Sequence, residues 1–261
     1  MLPLRAIILS GGRVPKNLSE KYGVEVKSLI AYQGKTLLQI AVDSALGVGE
    51  IHEPVAVVGP EDVKPYLKGY ENKVVWLMEG ASIVDNVERG ARYFGWENNF
   101  LLISPDLPLL TSSALREFIS GVSPEVELSV AVIPKSDFVR AFPNCPNKFA
   151  RLADGDFTMG SVFFATGFTL RKNLGLLKDA YKARKNLLKL AIIIGFPIAI
   201  SFLFKKCKIA DIEKRVSFLT DSRAKCVVLH NPYLAYDIDN ELNLRYLAEL
   251  NNKEHSGSGQ A

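Results

Sequence analysis

Histidine, cysteine and methionine each occur only three times in 261 residues, and that scarcity narrows the chemistry. Cys145, Cys207 and Cys226 form an odd set with no C-x-x-C spacing, which argues against a disulfide framework or a zinc site and for a reducing compartment. His52, His230 and His255 are too scattered to serve as a ligand set or a catalytic triad. The Walker phosphate loop and the G-x-G-x-x-G fingerprint are both missing, which argues against a dinucleotide-binding oxidoreductase. Residues 1–10 make an apolar run of strand length, too short for an export signal, so a cytoplasmic location is expected. Residues 190–204 (LAIIIGFPIAISFLF) are uncharged, yet they fall short of the roughly 20 that a membrane-spanning helix needs. Gly195-Phe196-Pro197 also breaks that run midway. Two short helices packed on the domain or on a partner subunit are therefore expected, while peripheral membrane contact through the lysine-flanked segment 187–208 stays open.

What is present is an ordinary globular balance, 48% hydrophobic and 23% charged. It suits one α/β domain over residues 1–254, with 255–261 as a flexible tail. The net charge of +4 conceals an uneven distribution, because residues 171–225 carry 14 Lys/Arg against 4 Asp/Glu. Such a segment suits an anionic partner or a set of solvated helix faces. Apolar runs at 4–10, 53–59, 73–77, 100–104, 127–133, 161–165 and 225–229 are mostly continuous, as strands buried on both sheet faces should be. Helical patterns lie between them at 36–46 and 82–94, the second opening on Ser82 with Asp85 three residues on. Alternating strands and helices predict a Rossmann-like, mostly parallel sheet flanked by helices, with a basic helical insertion near 170–222.

Ligands in such sheets bind beyond the carboxyl ends of the strands, where Gly11, Gly12, Gly59 and Asp106 all fall. The first strand runs into Leu9-Ser10-Gly11-Gly12, and glycines there let backbone amides approach a phosphate closely. Arg13, Lys16 and Lys21 follow at once. Asp106 stands between Pro105 and Pro108 after the run 100–104, and Asp237 and Asp239 follow the last strand. Asp106 could be a turn former or helix cap, and the cap of the last helix could equally be Asp239 or Asn240. Taken together, two carboxylates at one sheet edge point to Mg²⁺, which binds through a few carboxylates plus phosphate oxygens.

These islands, in their order and spacing, resemble the MobA-like NTP transferases and the nucleotide-diphospho-sugar transferases. The glycine pair matches the opening loop, and Lys27-Ser28-Leu29 with Gly34-Lys35 matches the lysine phrase. Asp106 stands at the family's metal aspartate and Asp239 at its second ligand. The resemblance covers roughly residues 4–170 and 225–250. It implies a Mg²⁺-dependent nucleotidyltransferase moving an NMP from an NTP, CTP or GTP, to a phosphorylated small-molecule acceptor. It further implies nucleotide contacts at Leu9, Ser10, Gly11, Gly12, Gly80 and Ser82, acceptor contacts near Gly160 and Ser161, and catalytic lysines at Lys16 and Lys27. Nucleic acid is not among the partners it implies. Val14 replaces the second loop glycine, Lys16 falls on the family arginine, and Pro105 replaces the glycine before the metal aspartate. Two alternatives stay open: a lipid-linked or polyol phosphate acceptor at a membrane surface, and a degenerate nucleotide-binding domain. A homo-oligomer is open as well.

Overall fold

A strand buried on both faces must place alternate side chains in two different cores, and β1 (Leu4–Leu9) does so. Ala6 and Ile8 enter the larger apolar cluster, and Ile7 enters the smaller one on the opposite face. A computed structural model of the chain describes residues 2–14, 19–20, 22–183 and 186–257. In the main sheet β1 is an interior strand. On one side lie β4 (Val55–Gly59) and β5 (Val74–Met78), and on the other β6 (Asn99–Ile103), all parallel. Beyond β6 comes β9 (Gly155–Thr166), antiparallel to both neighbours, followed by β7 (Leu128–Pro134) and β10 (Ala224–Val228). The short β8 (Ala150–Leu152) pairs with β9, and β2 (Ala31–Tyr32) with β3 (Lys35–Thr36) forms a separate ribbon.

All seven apolar runs become strands. The run 161–165 is only half of its strand: β9 begins at Gly155, and its direction makes the sheet mixed. Helix α1 (Leu37–Leu46) starts at Thr36, whose hydroxyl accepts from the Gln39 amide while Gln39 reaches back to the Thr36 amide. Helix α2 (Ile83–Phe94) is capped by Ser82, which accepts from the Asp85 amide at 3.2 Å. Asp85 answers through the Ser82 hydroxyl rather than its backbone, a variation on the expected reciprocal cap. Helix α3 (Ser112–Gly121) follows Thr111, and α4 (Lys135–Ala141) follows β7.

The segment near 170–222 is helical as its pattern predicts. It contains α5 (Gly167–Lys172), α6 (Leu174–Ala183), α7 (Leu187–Ile194), α8 (Phe196–Leu203) and α9 (Ile209–Thr220). Gly195, at φ 101°, separates α7 from α8 where the glycine-proline pair foretells a break. Among the described residues, no helix is long and apolar enough to cross a membrane. The last helix, α10 (Glu241–Gly257), opens on Asn240, whose side chain accepts from the amides of Leu242 and Asn243. Asp239 is thereby released from capping.

Candidate active site

Four parallel strands end side by side, and three of them deliver residues to a single cleft of about 510 Å³. The end of β1 brings Leu9, Gly11 and Gly12; β5 leads into Glu79 and Gly80; β6 leads into Ser104 and Asp106. Ser82 and Asn86 come from the start of α2, and Tyr181 from α6. Gly59 ends β4 so close to the loop that a Cβ there would stand 3.0 Å from Ser10.

The loop is held from several sides. The Ser10 amide donates to the Val58 carbonyl at 2.7 Å, and its hydroxyl is buried against that of Ser28. Ser10 therefore supports the loop from beneath, and the cleft wall falls to Gly11 and Gly12. A Cβ at Gly11 would stand 2.6 Å from Glu79 Oε2 and 2.7 Å from Asn86 Nδ2, so a side chain there would have to push the ends of both aside. Gly12 accepts from the Lys27 amide at 2.9 Å, which locks the lysine phrase to the loop. Arg13 pairs with Glu79 and donates to the Gly11 carbonyl at 2.9 Å, so its guanidinium braces the loop. Gly80 donates its amide to Asn86 Oδ1 at 2.6 Å. Lys16 and Lys21 lie outside the described residues.

The acids gather around one lysine. Lys27 Nζ lies 2.7 Å from Asp106 Oδ2 and 3.2 Å from Asp239 Oδ1. Burial works to lower the Lys27 pKa, but Asp106 and then Asp239 outweigh it and hold the ammonium above the usual lysine value. Ser104 donates to Asp106 Oδ1 at 2.6 Å, and Asp106 accepts at its carbonyl from the Ile238 amide at 3.0 Å. That last bond fixes the segment 237–239 alongside the end of β6. Asp237 completes a trio: one oxygen from each of Asp106, Asp237 and Asp239 lies within 4.8 Å of the others. Burial first, then the neighbouring charges of Asp239 and Asp106, push the Asp237 carboxyl up to about 6. Three hard oxygen donors with an ammonium lodged among them suit a small divalent cation such as Mg²⁺.

Asp106, Asp239, Lys27, Leu9, Gly11, Gly12, Gly80 and Ser82 thus come to one place. Gly160 and Ser161 lie beside it on β9, where Ser161 accepts from the Ser104 amide at 3.0 Å and Gly160 is packed against Ala131 and Leu234. Sequence reasoning assigned no role in the site to Glu79, Asn86, Ser104 or Tyr181, and it left Asp237 out of the ligand set. For Asp237 there was a signal: acids two apart around Ile238, which is buried, share one side of an extended segment.

The chain matches the MobA-like NTP transferase domain over residues 6–188. It belongs to that family. This MobA-like transferase is a nucleotidyltransferase by membership, and among curated proteins none matches it. A hypothetical transferase from Thermus thermophilus superposes on it with a TM-score of 0.81 and 26% identity, over 94% of this chain and 100% of that one. The 4-diphosphocytidyl-2C-methyl-D-erythritol synthase of Anaerococcus prevotii shares the fold at a TM-score of 0.56 and 13% identity, covering 95% and 96% of the two chains. So does a CMP:2-keto-3-deoxy-manno-octonic acid synthetase in complex with CTP, at 0.57 and 14%, covering 96% and 99%.

Proposed function

We propose that this nucleotidyltransferase transfers CMP from CTP, with GTP as the second candidate donor, to a phosphorylated small molecule. An acceptor phosphate oxygen attacks the α-phosphorus, the bond between the α-phosphorus and its bridging oxygen breaks, and pyrophosphate leaves with that electron pair. The observation that carries this reading is the meeting of the glycine loop, Lys27 and Asp106 in one cleft, with Asp237 and Asp239 clustered against Asp106. The choice of CTP is supported by the cytidylyl chemistry named for two proteins of the same fold.

Asp106 and Asp239, with Asp237 beside them, would hold Mg²⁺. When bound there, the ion supplies neutralisation of phosphate charge and polarisation of the phosphoryl group. Gly11 and Gly12 let the triphosphate lie against backbone, where no side chain intervenes. Gly80 and Ser82 face the base. Lys27, once its acids are neutralised, has its ammonium free for the α-phosphate and the acceptor. Lys16 takes the departing β- and γ-phosphates, and Gly160 and Ser161 border the acceptor. Catalysis of this kind is positioning plus charge neutralisation, with no covalent enzyme intermediate.

Thermal stability in the presence of nucleotide tests the proposal. A hundredfold excess of CTP over its dissociation constant should stabilise the protein by about 2.7 kcal/mol. The gain should require Mg²⁺ and vanish in Asp106→Ala. An equal shift without Mg²⁺, or an unaltered shift in the variant, would refute the metal assignment.

A further inference from the structure

Helix α8 (Phe196–Leu203) is apolar except for Ser201, and none of its residues is buried. With α7 it forms a hairpin that exposes Ile192, Phe196, Ile200, Phe202, Leu203 and Phe204, with Leu203 76% exposed and Phe204 65%; Phe196, Ile200 and Leu203 share one face of α8. A contiguous apolar surface of this kind marks an interaction site. The corner is fixed in place: Arg215 on α9 donates to the Ile194 carbonyl at the end of α7. The base is fixed too, since Lys178 on α6 pairs with Asp85 at 3.2 Å and Glu88 at 3.0 Å, both on α2. The hairpin is therefore presented by the domain.

Charge decides what it is presented to. Between Asp179 and Asp211 the chain contains Lys182, Arg184, Lys185, Lys189, Lys205, Lys206 and Lys208, and no Asp or Glu. Lys189, Lys205, Lys206 and Lys208 are exposed beside the apolar residues. A second copy docked on this face would bring like charges together. Each eight-residue helix is about 12 Å long, far short of a bilayer core, so the hairpin cannot span one. Apolar side chains framed by lysines do suit the boundary between acyl chains and anionic headgroups.

We propose that the α7–α8 hairpin docks the protein on an anionic lipid bilayer, laying its apolar face into the headgroup boundary with its lysines on the lipid phosphates. The hairpin begins six residues after Tyr181, which lines the active-site cleft. This docking does not depend on the nucleotide reading.

Co-sedimentation of the full chain with vesicles tests it, using phosphatidylcholine alone and an equal mixture with phosphatidylglycerol. Binding should be confined to the mixed vesicles and should weaken with added salt. Lys205→Glu with Lys206→Glu should lower binding at least about 25-fold, at roughly fivefold for each lysine removed. Leu203→Ser with Phe204→Ser should lower it at least about tenfold while circular dichroism stays unchanged, because both side chains are exposed. Failure to bind mixed vesicles at low salt would overturn the proposal, as would binding indifferent to phosphatidylglycerol. A solution dimer dispersed by the serine pair would also overturn it, in favour of a second copy.

Discussion

Two neighbouring glycines in the loop do different work, and substitution should separate them. At Gly11 a methyl group would strike Glu79 and Asn86, whereas at Gly12 the nearest atom would be Lys27 Cβ at 3.7 Å. Both Gly11→Ala and Gly12→Ala are expected to weaken CTP binding in titration calorimetry with Mg²⁺, but only Gly11→Ala should also lower the Tm of the ligand-free protein. Lys27 is the counter-charge of an acidic trio, so Lys27→Met should cost about 1–3 kcal/mol in divalent-free buffer, with the deficit shrinking as Mg²⁺ is added. Asp237→Asn removes a carboxylate that burial and its neighbours oppose. It should raise the Tm of the ligand-free protein while weakening the Mg²⁺-dependent response to CTP. Coinciding losses in both would show that Asp237 instead holds the fold. At this scale the sequence is legible where the backbone pattern is local, as in the glycine pair after β1. It is mute about Glu79, Asn86 and Tyr181, because their place in the cleft depends on α2 and α6 packing beside the loop.

Among the elements, α2 matters most to the cleft, since its first turn carries Ser82 and Asn86. It lies close against β1 through Gly90, where a Cβ would stand 2.7 Å from Ile7 Cγ2. Alanine there gains about 1 kcal/mol in helix propensity but forces the helix off the sheet, typically costing 1–3 kcal/mol. Gly90→Ala should therefore lower Tm and weaken nucleotide binding together; a rise in Tm would show that the contact relaxes freely. Helices were readable here because each core-facing stripe keeps a helical period, and strands because runs buried on both faces are continuously apolar. The direction of β9 was not, since antiparallel pairing on both sides leaves no mark on an apolar run. The break at Gly195 was readable, because glycine and proline act on their own backbone.

Across the whole molecule, five helices lie between β9 and β10 among the described residues, so the inserted segment is bounded on both sides by strands of one sheet. Residues 1–254 are accordingly proposed to unfold as a unit. Fluorescence of Trp76 and Trp96 and far-ultraviolet circular dichroism should trace a single coincident transition. An earlier dichroism transition invisible to the tryptophans would identify the helical segment as a separate folding unit.

The pairing of Lys27 with Asp239 joins positions 212 apart, and the Ile238 amide holds that late segment to Asp106. On the ribosome, then, the glycine loop, Lys27 and Asp106 are all made long before Asp237 and Asp239 emerge. The growing chain can build most of its sheet and still own only one of its three acids. Under the proposed function, a chain cut short before residue 237 would lack two of the three acids, and it is expected to lose the Mg²⁺-dependent response to CTP.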